Sequence, residues 1–200
     1  MSISAEAISR RFCADLPNEI ARKLDMMFPH RDADIALHEP RFNTQAEKLV
    51  LECLRSTYVS SVGEYVRQFE AKLAAACGVK YAVAMVNGTA ALEVALKVVG
   101  VDAGSEVLIP SLTFVATANA VSHLNAVPHF VDIEDRSFGI DSDALERYLK
   151  KIGRKTSEGF FNKETGRRIS AIIPVHVFGH PVAMDDLNAV ANVFDLPVIE

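Results

Sequence analysis

From Lys80 onward the chain alternates short apolar runs with helical stretches, and that alternation restricts it to few folds. Strand-like runs fall at Tyr81–Val86, Val107–Pro110, Pro128–Asp132, Ala171–Val177 and Pro197–Glu200. Helical patterns occupy the intervals Thr89–Val99, Thr117–Leu124, Asp143–Lys151 and Asp185–Phe194. The runs are mostly apolar on both faces, as in a parallel sheet that helices cover from both sides. Right-handed crossovers join such strands. The predicted fold class is therefore α/β, a three-layer αβα arrangement around a mainly parallel sheet. One polar stretch, "GRKTSEGFFNKETGRRI" (153–169), interrupts the rhythm and reads as an exposed hairpin or loop before the fourth strand.

The region upstream is helical. Residues 1–36 read as a peripheral extension in two helical pieces separated by Pro17, and "LHEPRF" (Leu37–Phe42) as an extended link. Within 37–79, Thr44 and Glu47 have capping-box spacing, with Leu49, Val50, Cys53 and Leu54 as the apolar face behind them. A second helix, Tyr65–Ala76, runs into Gly78, a good C-terminal glycine. Three parts result: the extension 1–36, a helical lead-in 37–79, and 80–200 as the body of a larger domain.

Charge and cysteines narrow the class. A net charge of −5 argues against a nucleic-acid partner, and Lys150-Lys151 and Arg167-Arg168 read as solvated faces. Cys13, Cys53 and Cys77 have neither CxxC nor zinc spacing and lie in apolar helical patterns, so they read as reduced core thiols of a cytoplasmic protein. The segment "MSISAEAISRRF" lacks the apolar core of a signal peptide, and no run has the length of a membrane span.

In open α/β sheets ligands sit beyond the carboxyl ends of the strands. Asn87-Gly88-Thr89 lies where a strand pattern meets a helix pattern. A glycine opening a helix leaves N–H groups uncovered at the positive end of the dipole, and Thr89 adds a hydroxyl. The turn reads either as a cradle for one phosphate or as an ordinary capped turn. Neither G-x-G-x-x-G nor G-x-x-x-x-G-K-[ST] is present, so a dinucleotide or P-loop site is not indicated. Phe114, past the second strand, can stack on a planar heterocycle or pack as core. Asp132, Glu134 and Asp135 read as turn and capping groups. His176 and His180 lie in a strand and a turn, so their spacing of four does not carry the metal logic of a helix.

As a set, "SSVGEYVRQFEAKLAAACGVKYAVAMVNGTAALEVAL", "GSEVLIPSLTFVATANAV", "VPHFVDIE", "IIPVHVFGHPVAMDDL" and "LPVIE" resemble the DegT/DnrJ/EryC1/StrS family of pyridoxal 5'-phosphate-dependent sugar aminotransferases. With "LHEPRF" they are most similar to the branch that aminates 4-keto-6-deoxy nucleotide sugars for legionaminic acid or bacillosamine. The resemblance implies the large domain of a fold-type I transferase, a homodimer, and pyridoxal 5'-phosphate as cofactor. It also implies that Gly88, Thr89 and Ala90 hold the cofactor phosphate and that Phe114 stacks on its pyridine ring. The family's Schiff-base lysine and the aspartate at the pyridine nitrogen are expected beyond Glu200. Lys80, Lys97, Lys155 and Lys163 lack that context. The chain reads as the N-terminal half of such an enzyme, without the small C-terminal domain and inactive alone. A related sugar dehydratase, or a ligand-binding fragment without catalysis, are the alternatives.

Overall fold

A computed structural model describes residues 5–29 and 40–200, with side chains from Asp15 on. The first half of the expected link Leu37–Phe42, residues 37–39, lies outside the described residues. The chain divides into two compact units, Met1–Tyr65 and Val66–Glu200.

In the first unit α1 (Ala5–Met27) is one helix that passes through Pro17, where the sequence pattern had suggested a break. Helix α2 spans Thr44–Ser56. Its cap is not Thr44 but Asn43, whose side chain accepts the Ala46 N–H at 2.8 Å. Asparagine outranks threonine at this position because its carbonyl reaches the free N–H groups more readily. The described cysteines are not core thiols: Cys53 is half-buried on α2 and Cys77 is exposed, both free.

Helix α3 (Glu64–Cys77) ends as the sequence predicts. Gly78 adopts φ +65, its N–H reaches the Ala75 carbonyl, and the Val79 N–H reaches that of Ala74. This doubly bonded left-handed cap is the reason for the glycine.

After α4 (Gly88–Val98) come β1 (Glu106–Pro110), α5 (Val115–His123), β2 (Val127–Val131) and α6 (Ser142–Ile152). The hairpin β3 (Gly153–Thr156) and β4 (Gly159–Asn162) leads to β5 (Arg168–Ile172), and α7 (Met184–Phe194) closes the series. The sheet order is β2-β1-β5-β4-β3. Strands β2, β1 and β5 are parallel, whereas the polar insert forms an antiparallel hairpin on β5. Beyond the hairpin's reach, Val198 pairs parallel with Ile172, so Pro197–Ile199 starts a further strand position.

Each face of the sheet has its own core. On one, Leu108, Val131, Ile169 and Ile172 pack with Leu145, Leu149 and Ile152 of α6 and Leu187 and Phe194 of α7. On the other, Val107, Ile109, Ala171 and Ile173 pack with Leu96 of α4 and Ala120 and Val121 of α5. Strand alternation alone would put Ile169 and Ala171 on one face. The register shows why they part: Glu106 pairs with Ile169 but Val107 with Ala171, so Ser170 is an extra residue in β5.

The run Tyr81–Val86, expected as a strand, is not one. No strand among the described residues pairs with it, and Tyr81, Val83 and Val86 are 74%, 73% and 88% exposed. Apolar alternation supplies a side-chain pattern, but a strand also needs a hydrogen-bonded neighbour. Here the Ala84 N–H instead donates to the Glu70 carboxylate at 2.9 Å.

A buried carboxylate ties the hairpin to the sheet. Glu106, 2% exposed, accepts from Thr165 Oγ1 at 2.6 Å, His129 Nδ1 at 2.8 Å and Asn162 Nδ2 at 3.0 Å. Because the carboxylate only accepts, His129 carries its proton on Nδ1, and Tyr148 Oη donates to Nε2 at 3.0 Å. Burial pushes the Glu106 carboxyl up, but the hydrogen bonds from Thr165, Asn162 and His129 outweigh it and hold the group below the usual glutamate range. A folded value below the unfolded one stabilises the protein above the ordinary carboxylate range and loses that contribution as pH falls through the folded value. Glu106→Gln turns an N–H2 toward donors, and its expected cost is about 3–5 kcal/mol in urea unfolding. In melts across the acid range the variant should also lack the wild type's Glu106-linked loss of stability.

Candidate functional site

The topology brings two helix starts to one edge. Strand β1 runs from the amino edge to the carboxyl edge of the sheet, and α5 starts there, its N-cap Phe114 four residues past Pro110. Helix α4 covers about 16 Å at 1.5 Å per residue, the same length as β1. It packs beside α5 and hands the chain to the amino end of β1, so its own start, Gly88, also lies at the carboxyl edge. Both dipoles therefore direct partial positive charge to this edge, on the same face of the sheet.

Each start has a distinct local structure. At α4 the N-cap is Asn87, whose side chain accepts the Ala90 N–H at 2.9 Å while its carbonyl accepts from Ala91. Ala90 thus has its amide engaged. The N–H groups of Gly88 and Thr89 and the Thr89 hydroxyl have no protein partner among the described residues. Gly88 does not occupy the left-handed region, and a Cβ built on it meets nothing within 4 Å. Neither backbone strain nor packing demands a glycine there, and what it preserves is open space above unpaired N–H groups. Those properties fit a phosphate group.

At α5 the N-cap is Phe114 itself, with extended φ/ψ of −71 and 143 and no side-chain cap. Its ring is 77% exposed, so it is not the core phenylalanine that the sequence left open. The next strand end, that of β5, carries a second exposed aromatic. Phe178 is 85% exposed and holds φ +52 within the turn Val177–Gly179. A bulky residue in that region costs about 1–3 kcal/mol and marks functional surfaces more often than cores.

The other strand-end residues have structural partners. Glu134 accepts from the Ser137 hydroxyl and N–H and from the Arg136 N–H, which together hold it below the usual range. Asp132 accepts the Ile133 N–H, and α6 is capped by Asp141. His176 accepts the Val182 N–H on Nδ1 at 3.1 Å, so its proton sits on Nε2 and donates to Glu200 at 3.0 Å. No lysine stands at this edge among the described strand ends: Lys97 is in the last turn of α4 beside Asp102, and Lys155 pairs with Asp195.

Sequence reasoning placed Gly88, Thr89 and Phe114 at one edge, and the structure does the same. It included Asn87 in the turn but did not assign it as the cap, although asparagine before a glycine-led helix is a strong cap signal. It did not foresee the pairing of Thr113 with Thr117, which flank Phe114 with their hydroxyls 2.8 Å apart.

Residues 40–200 match the DegT/DnrJ/EryC1/StrS aminotransferase family, and the chain belongs to it. It is similar to a GDP-perosamine synthase of Caulobacter vibrioides, at 39% identity over 83% of this chain and 40% of that enzyme. A UDP-2-acetamido-2-deoxy-3-oxo-D-glucuronate aminotransferase of Pseudomonas aeruginosa is 36% identical over 70% of this chain and 34% of its own length. Among solved structures, NtdA of Bacillus subtilis with bound cofactor PMP superposes with a TM-score of 0.66. That match has 28% identity and covers 86% of this chain and 38% of NtdA. The chain thus spans between 34% and 40% of these relatives' length.

Gly88→Ala is expected to fold and to gain about 0.4–1 kcal/mol, since a Cβ there is unopposed and the unfolded chain loses freedom. A thermal melt checks this. A loss of stability would mean that the open space is needed by the fold.

Proposed function

We propose that the intact protein is a pyridoxal 5'-phosphate-dependent aminotransferase that transfers an amino group, with glutamate as donor, to the 4-keto carbon of a 6-deoxy nucleotide sugar. The observation that carries the reading is the pairing at one edge of an open, amide-lined helix start at Gly88 with the exposed ring of Phe114. When bound, pyridoxal 5'-phosphate supplies an electron sink for the carbon that exchanges its amino group. The N–H groups of Gly88 and Thr89 and the Thr89 hydroxyl would hold its phosphate. Ala90 would join them once the Asn87 cap gives way. Phe114 would cover one face of the ring and keep water from it.

The perosamine synthase relative favours a GDP-linked sugar, while the uronate aminotransferase shows that the family also accepts a 3-oxo sugar. Assembly as a homodimer in the cytoplasm accompanies this reading; no described helix is long and apolar enough to cross a membrane.

Pyridoxamine 5'-phosphate, which forms no adduct with stray lysines, is the probe for binding. The 200-residue chain should bind it, Phe114→Ala should weaken binding about tenfold from the lost stacking, and Gly88→Val should abolish it. Equal binding by all three would remove the site. The intact protein, given glutamate and a panel of 4-keto-6-deoxy and 3-keto nucleotide sugars, should aminate the 4-keto members. Amination of 3-keto sugars alone would reassign the substrate.

A further inference from the structure

Phe114 presents a difficulty for a stacking residue. With its ring 77% exposed, little packing holds the side chain, so its direction must be set through the backbone. Two threonines bracket it. The Thr113 hydroxyl donates to Thr117 Oγ1 at 2.8 Å and lies 3.2 Å from the Phe114 carbonyl oxygen. That same carbonyl accepts the Thr117 N–H at 3.1 Å. Thr117 is only 5% exposed, and close packing around it together with the bond to Thr113 holds its hydroxyl in place as an anchor. A buried hydroxyl on a helix face beside Ala120 and Val121 is otherwise a cost, which a single well-placed partner offsets.

We propose that Thr117, acting through Thr113, is a positioning residue that fixes Phe114 at the sheet edge for stacking on a planar phosphate-bearing heterocycle. The clasp joins the residue before Phe114 to the one a helical turn after it, which leaves Phe114 one backbone conformation and spares the ring's ordering cost on binding. This inference rests on the cofactor reading given above for its ligand, but the clasp itself is testable without it.

The test uses the 200-residue chain as wild type, Thr117→Val, Thr117→Ser, Phe114→Ala and the Phe114→Ala/Thr117→Val double variant, titrated with pyridoxamine 5'-phosphate and separately with inorganic phosphate. Thr117→Val should weaken pyridoxamine 5'-phosphate about three- to tenfold, the worth of one hydrogen bond, and Thr117→Ser should restore it. Inorganic phosphate should shift the Gly88 and Thr89 amide resonances equally in wild type and Thr117→Val. The double variant should bind no worse than Phe114→Ala. Wild-type affinity in Thr117→Val, or a further loss in the double variant, would overturn the proposal. Should Thr117→Val not fold, Thr113→Ala takes its place in the same cycle. If the wild type binds neither probe, the cofactor reading fails and amide relaxation at Phe114 decides the clasp. Loosening in Thr117→Val but not in wild type or Thr117→Ser upholds it, and equal order in Thr117→Val and wild type overturns it.

Discussion

Strand β1 is buried along its whole length, and everything else is arranged around it. Its two hydrogen-bonding edges are taken by β2 and β5, both parallel to it. Its two faces feed separate cores, Leu108 toward α6 and α7, and Val107 and Ile109 toward α4 and α5. A strand enclosed on four sides permits only apolar residues or a fully bonded polar group. Glu106 is the polar exception, and it is accepted because Thr165, Asn162 and His129 satisfy it. The same strand fixes where chemistry can occur, since the parallel arrangement sends the starts of α4 and α5 to one edge.

The two ends of β1 therefore have different physical characters. The amino end holds a carboxylate inside the protein and joins hairpin, sheet and, through His129 and Tyr148, helix α6. Burial, with the charges of Glu164 and Glu106, raises the Tyr148 phenol, so it stays a hydrogen-bond donor. The carboxyl end leaves N–H groups, a hydroxyl and two phenylalanine rings turned to solvent. Stability resides where groups are satisfied, and binding capacity where they are not.

Much of this was legible in the sequence, for reasons that individual residues make plain. Helices α4 to α7 follow from their apolar periodicity, and α3 from Gly78, because helix formation is local. Gly88 and Phe114 could be placed at one edge from sequence because their positions at strand–helix junctions fix the sheet edge they occupy. Tyr81–Val86 misled, since its pattern of large residues says nothing of which strand, if any, lies beside it. Glu106 gave little warning: one acidic residue before "VLIP" reads as the solvated start of a strand, and its partners lie 23 to 59 positions away. Cys53 and Cys77 were misjudged because an apolar helical stripe need not face a core within its own unit.

The extra residue Ser170 acts as a change of parity along β5. On its amino side the strand is in phase with the hairpin, through Phe160 to Ile169 and Phe161 to Arg168. On its carboxyl side it is in phase with β1, through Val107 to Ala171 and Leu108 to Ile172. The two registers differ by one step, and one residue absorbs the whole difference. Insert and site can therefore each keep the alternation they require, so that changes in the hairpin's pairing need not turn over the residues that leave the strand toward His176.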